Sequence, residues 1–256
     1  MATELQLLVD KVKSYTWYPP DIRPLCGDST ESLFFPAGPG MYDREEGRLS
    51  NKKVMVVCDQ YSPQLNVLKL HGVRQDTVRT THGWSELLKT LIQGGIDPLE
   101  CFFTNYLLGV RESKVPRSIM PDVTARRSPR REGLNPGDPI PLSYFRNHCR
   151  DIFQFTIELQ RPRLILVLGL RAASLLSRLH PKLAIWQNLK TYRNVDNYYQ
   201  SIVRDLPLAS NQLTTLVLLV HPVGKKTHIS TRKNGKSTGE AAEIKLLRTV
   251  VANCKL

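Results

Sequence analysis

From Lys53 onward the chain alternates short, continuous apolar runs with stretches in which apolar residues recur every three to four positions. The runs Val54–Cys58, Cys101–Thr104, Leu164–Leu168 and Thr215–Val220 lack the polar alternation of a half-exposed strand, so they suit parallel strands covered on both faces. Helical spacing predicts helices near Trp84–Gln93, Ser143–Gln160, Arg171–Leu179 and Gly239–Ala252, the last with Ala241, Ile244, Leu247 and Val251 on one face. Strands joined by crossover helices predict an α/β fold around a four-stranded parallel sheet.

Upstream, Thr3 caps a predicted helix over Thr3–Lys13, and the Pro- and Gly-rich stretch Tyr18–Lys52 reads as a long surface loop. A second aperiodic stretch, about residues 111–141, carries Arg117, Arg126, Arg127, Arg130 and Arg131 and reads as a basic insertion. The expectation is a single domain over 1–256: an N-terminal helix and loop over 1–52, then an α/β core over 53–256.

Charge narrows the partner. Thirty-six Lys and Arg against 23 Asp and Glu give a net charge of +13, an excess that calls for a polyanion. Nucleic acid fits better than a lipid surface, because the chain has no basic amphipathic helix with an apolar face. The longest apolar runs fall well short of the ~20 residues of a membrane helix, and Met1–Asp10 has acids where a secretion signal has bases. A cytoplasmic protein with no membrane association and no obligate protein partner is expected. The five cysteines stand singly, without a CxxC pair, so neither a metal, a disulfide framework nor another cofactor is expected, and Cys58 and Cys101 read as buried, inert thiols.

Ligands of open parallel sheets bind beyond the carboxyl ends of the strands. Three of the four expected strands end in polar groups: Asp59-Gln60-Tyr61 after the first, Asn105 after the second and His221-Pro222 after the fourth. Other nucleotide or hydrolase readings fail on spacing. Asn234-Gly235-Lys236-Ser237-Thr238 lacks the glycine a P-loop needs at position 230, which is Ser230, and neither GxGxxG nor GxSxG occurs where it would be needed.

The segments Val-Met-Val-Val-Cys-Asp-Gln-Tyr, Phe-Phe-Thr-Asn-Tyr, Val-Leu-Gly-Leu-Arg-Ala-Ala and Leu-Val-His-Pro, in this order between Val54 and Val223, resemble the uracil-DNA glycosylase superfamily. That resemblance implies a three-layer α/β/α fold with strand order 2-1-3-4 and a monofunctional glycosylase that swings a nucleotide out of DNA and leaves an abasic site. It places Asp59, or its neighbour Gln60, on the attacking water and the cationic sugar. Asn105 would read the edge of the pyrimidine, and His221 would stabilise the departing base. Tyr61 would stack on the base, a face that Phe34, Phe35 or Tyr42 could equally supply. The following loop, with Lys225, Lys226, His228, Ile229 and Arg232, would grip DNA, with Ile229 as a wedge.

Departures from the family pattern are Cys58 where a glycine is usual and Val223-Gly224 after His221-Pro222. They leave uracil and a bulky modified cytosine, such as glucosylated hydroxymethylcytosine in phage DNA, both open as substrates, and with them repair or antiviral defence. A non-catalytic DNA-binding protein on the same fold is the alternative.

Overall fold

The structure, a computed structural model, describes residues 4–19, 22–24, 34–36, 52–59, 82–111, 142–197, 199–254 and 256. It is a mixed α/β protein with a mostly parallel central sheet flanked by helices. The strands β1 (Val54–Cys58), β2 (Cys101–Asn105), β3 (Leu164–Leu168), β4 (Ile202–Ala209) and β5 (Gln212–Leu219) stand in the order β2-β1-β3-β5-β4.

This corrects the expected sheet, which has five strands rather than four and is not wholly parallel. The strands β1, β2, β3 and β5 run parallel, while β4 adds antiparallel at the edge beyond β5. Its sequence, Ile-Val-Arg-Asp-Leu-Pro-Leu-Ala, hides it, because Arg204, Asp205 and Pro207 interrupt the apolar pattern. An edge tolerates all three. Among the described residues one side of the strand pairs with no neighbour, so the missing N–H of Pro207 is harmless, and Asp205 at φ 55° sits where the register slips between Val203 and Leu206.

The helices are α1 (Glu4–Lys13), α2 (His82–Gln93), α3 (Leu142–Gln160), α4 (Leu170–Leu176), α5 (Tyr192–Asn197), α6 (Lys225–His228) and α7 (Gly239–Cys254). All five expected helices are present with shifted ends; α4 stops at Leu176, short of the expected Leu179. The expected basic insertion lies almost wholly outside the described residues, as do most of the Tyr18–Lys52 loop and the cap Thr3.

Strand side chains alternate between faces, and the core divides accordingly. Met55, Val57, Phe102, Ile165, Val167, Leu216 and Leu218 meet Leu8 and Val12 of α1, Phe145 and Ile152 of α3, and α4. Val54, Val56, Cys58, Phe103, Leu166, Leu168 and Leu219 meet Trp84, Leu87 and Leu91 of α2 and Leu246, Leu247 and Val250 of α7. Burial on both faces explains the unbroken apolar runs and leaves the strand ends as the places where polar groups can collect. No helix among the described residues is long and apolar enough to cross a membrane.

Candidate active site

At the carboxyl edge of the sheet the three polar strand ends lie close together. Cys58 and Asn105 are register partners on β1 and β2, so their side chains leave the same face, the one covered by α2 and α7. The pairing continues past the strand ends, with Tyr106 N–H donating to the Cys58 carbonyl and Leu107 N–H to that of Asp59, both at 2.9 Å. Asn105 is thereby held in place and is 4% exposed.

His221 follows β5, two strands away from β1, yet its Nε2 lies 3.1 Å from Cys58 Sγ. Gly169 makes room for this reach. It directly follows β3, the strand in between, at φ 97°, and a Cβ there would come within 3.2 Å of His221 Cβ. A side chain at this position would be strained by its backbone and would press on the imidazole.

Asp59 completes the group, since one ligand atom each of Cys58, Asp59 and His221 lies within 4.8 Å of the others. Its carboxylate is 14% exposed and pairs through Oδ2 with Nε of Arg171, 3.2 Å away in the first turn of α4. Because α4 begins where β3 ends, Arg171 is delivered to the same edge.

Protonation states follow from partners. The Val223 N–H donates to His221 Nδ1 at 3.2 Å, so a neutral ring carries its proton on Nε2 and presents that N–H to Cys58. Burial lowers the His221 pKa from its ordinary value, against an opposing pull from Asp59, and the ring is mostly neutral at pH 7. Burial, reinforced by Asp59, pushes the Cys58 thiol up, so its sulfur is a weak hydrogen-bond partner rather than a nucleophile.

The same three groups could in principle hold a metal ion. A metal-bound imidazole ordinarily donates its second N–H to an oxygen. Here Nδ1 instead accepts from Val223 N–H, and Asp59 is engaged by Arg171, so the donor set is poorly arranged for a metal.

Several expected site residues sit elsewhere. Phe35 is 1% exposed and packs on Phe102 in the core, while its backbone bridges to β2, so it cannot stack on a ligand. The apolar run before Pro36 is a core anchor. Lys225 is buried, its Nζ 2.8 Å from Glu240, 3.0 Å from Thr90 Oγ1 and 3.2 Å from Glu86, and it ties α6 to α2 and α7. Arg232 is also buried. Its Nη2 donates to the Leu218 carbonyl at 3.2 Å, and its guanidinium lies 3.4 Å from Asp196 and 3.6 Å from Glu243 at ion-pair rather than hydrogen-bond geometry. Neither cation can grip DNA from there. Ile229 packs partly buried against the core and is no wedge, whereas Lys226 and His228 are exposed. Gln60 and Tyr61 lie outside the described residues.

Three residues gain a role that sequence reasoning missed. Cys58 read as an inert thiol, and Gly169 and Arg171 served only as parts of a motif. Their signal is the Gly-Leu-Arg directly after β3, which puts a residue without a side chain and a cation at the edge. Val223, next to His221, is 74% exposed and is the prominent apolar side chain of that loop. No family model and no curated protein matches the chain. Its chemistry therefore rests on this geometry.

Proposed function

We propose that the protein is a monofunctional DNA glycosylase that extrudes a pyrimidine nucleotide and hydrolyses its bond to deoxyribose. One observation carries this reading: an amide, a carboxylate and a neutral imidazole with its N–H turned inward share one strand edge, where an α/β sheet binds its ligands.

Breaking the glycosidic bond leaves positive charge on the sugar and negative charge on the base. Asp59 faces the first, stabilising the oxocarbenium-like sugar and orienting the attacking water. His221 answers the second through its Nε2–H, which exchanges the weak sulfur partner for the departing base. A protonated ring would lose the Val223 hydrogen bond that orients it, so the neutral form is the working one. Asn105, buried and fixed by the strand pairing, offers both an amide donor and a carbonyl acceptor to a pyrimidine edge. Uracil and a bulky modified cytosine of phage DNA are both admitted as the base, with repair or defence as the corresponding roles. The family suited to this reading is the uracil-DNA glycosylase superfamily, whose three-layer fold agrees with helices on both faces of the sheet.

The test is a panel of DNAs containing uracil, mismatched thymine, hydroxymethylcytosine or glucosylated hydroxymethylcytosine, incubated with the protein and then with alkali. Strand breaks at one base are expected, and Asp59→Ala and Asn105→Ala should abolish them while the circular dichroism spectrum is kept. Cleavage by both variants at the parent's rate would refute the assignment.

The Arg171–Asp59 ion pair at 3.2 Å favours a second reading, a non-catalytic DNA binder, because a paired carboxylate is a poorer partner for water. A binder would shift DNA in a gel and produce no alkali-labile site.

A further inference from the structure

A narrow notch opens beside the carboxyl edge between α3 and α4. Tyr106, just past β2, Arg146, Asn147 and Arg150 of α3, and Ser174 and Arg178 line it. Its placement follows from topology: α3 leads into the start of β3, so its early turns lie toward the carboxyl edge, while α4 starts from that edge at Arg171. Arg146 and Arg150 are one helical turn apart and share a face. Arg171 lies in the first turn of α4, and Arg178 stands in the turn just past its end.

These side chains bring guanidinium groups together rather than spreading them. Arg146 is half-buried, and burial together with the neighbouring charges of Arg178 and Arg171 lowers its pKa. Arg150 contacts Asp151 at 3.3 Å, and Arg171 contacts Asp59. Thus the basic cluster begins at the catalytic carboxylate and runs away from it along the α3–α4 face. The notch encloses only about 20 Å³, room for a water or an anionic oxygen and far too little for a base. Planar guanidinium groups around so small an opening match phosphate oxygens.

We propose that the Tyr106–Arg146–Arg150–Arg178 notch holds a backbone phosphate of the DNA strand that delivers its nucleotide to Asp59. This inference rests on the glycosylase reading and moves the DNA path from the loop after His221 to the α3–α4 face. Arg178 is exposed, so changing it removes charge without opening the core.

Two variants test it, Arg178→Gln and the double variant Arg146→Gln with Arg178→Gln. Binding is measured by fluorescence anisotropy on a single-stranded oligonucleotide carrying the base that the parent excises, at several salt concentrations. Each lost contact should weaken binding about tenfold and reduce the salt slope by about 0.7. A neutral methylphosphonate linkage placed singly along the oligonucleotide should weaken the parent at one position beside the target and leave the double variant indifferent there. Parent-like affinity and salt slope in both variants, with the parent excising normally, would overturn the notch assignment alone. A parent that neither binds DNA nor releases a base would remove both the notch and the glycosylase reading.

Discussion

Two arginine settings lie within this one chain. Arg232 is sealed, its side chain 2% exposed between Asp196 and Glu243, each also 2% exposed. Around it the partners are themselves committed, since Asp196 accepts from Ser201 and from Lys233 N–H, and Glu243 accepts from Val220 N–H. The arginines of the α3–α4 notch are instead half-buried or exposed and face one another. Chain position would have reversed the two, because Arg232 follows the polar strand end at His221, whereas Arg146 lies in the middle of a helix. Burial, more than position along the chain, separates a guanidinium that holds the core together from one turned toward solvent.

Substitutions can break this contrast. Arg232→Met should cost about 3–5 kcal/mol, because it leaves two buried carboxylates without their cation. Urea denaturation would measure this, and the folded variant should keep the parent's DNA affinity. A loss below about 1 kcal/mol would mean that the buried cluster is no more than a solvated ion pair.

His221→Ala should slow base release about 10²–10³-fold, the usual effect of removing one donor to a developing anion, with little change in the urea midpoint. An unaltered rate would take the imidazole out of the chemistry. Gly169→Ala separates the two kinds of damage, since a methyl group 3.2 Å from His221 Cβ on a φ 97° backbone must displace the ring. It should cost about 1–3 kcal/mol of stability and lower base release more than Lys226→Gln does.

The smallest effect is one of pH. Both His221 and His148 have lowered pKa values, His148 down to about 4 through burial beside Tyr15. Such groups take up protons more readily when the chain is unfolded, so their effect is absent above about pH 6.5. Stability should then decline as pH falls from about 6.5 toward 4. A urea midpoint that stays flat across this window would show that neither ring is buried in its neutral form.

Much of the architecture was legible because burial on both faces writes an unambiguous pattern. β1, β3 and the second half of β5 are almost wholly aliphatic and β2 centres on Phe102-Phe103, and the residues that follow them stand at the edge where the topology puts them. β4 was not legible, since an edge strand accepts Pro207 and charged residues without penalty. Asp59, Asn105 and His221 could be named from strand ends alone. What could not be read was pairing: Lys225 and Arg232 look like their exposed neighbour Lys226, and only the carboxylates that fold brings to them, such as Glu86 and Asp196, reveal them as struts. Cys58 is the buried, inert thiol that its apolar run suggests, but its contact with His221, 163 residues further along, could not be read for the same reason.

That separation has a bearing on synthesis. The imidazole is carried by a segment beyond the last inserted strand, and it must pass over the bare backbone of Gly169 to meet its partners. A ribosome-bound chain that has completed β1, β2 and β3 thus holds the amide and the carboxylate without the imidazole. The cluster is complete only once the final parallel strand has docked on β3 and brought His221 to Cys58.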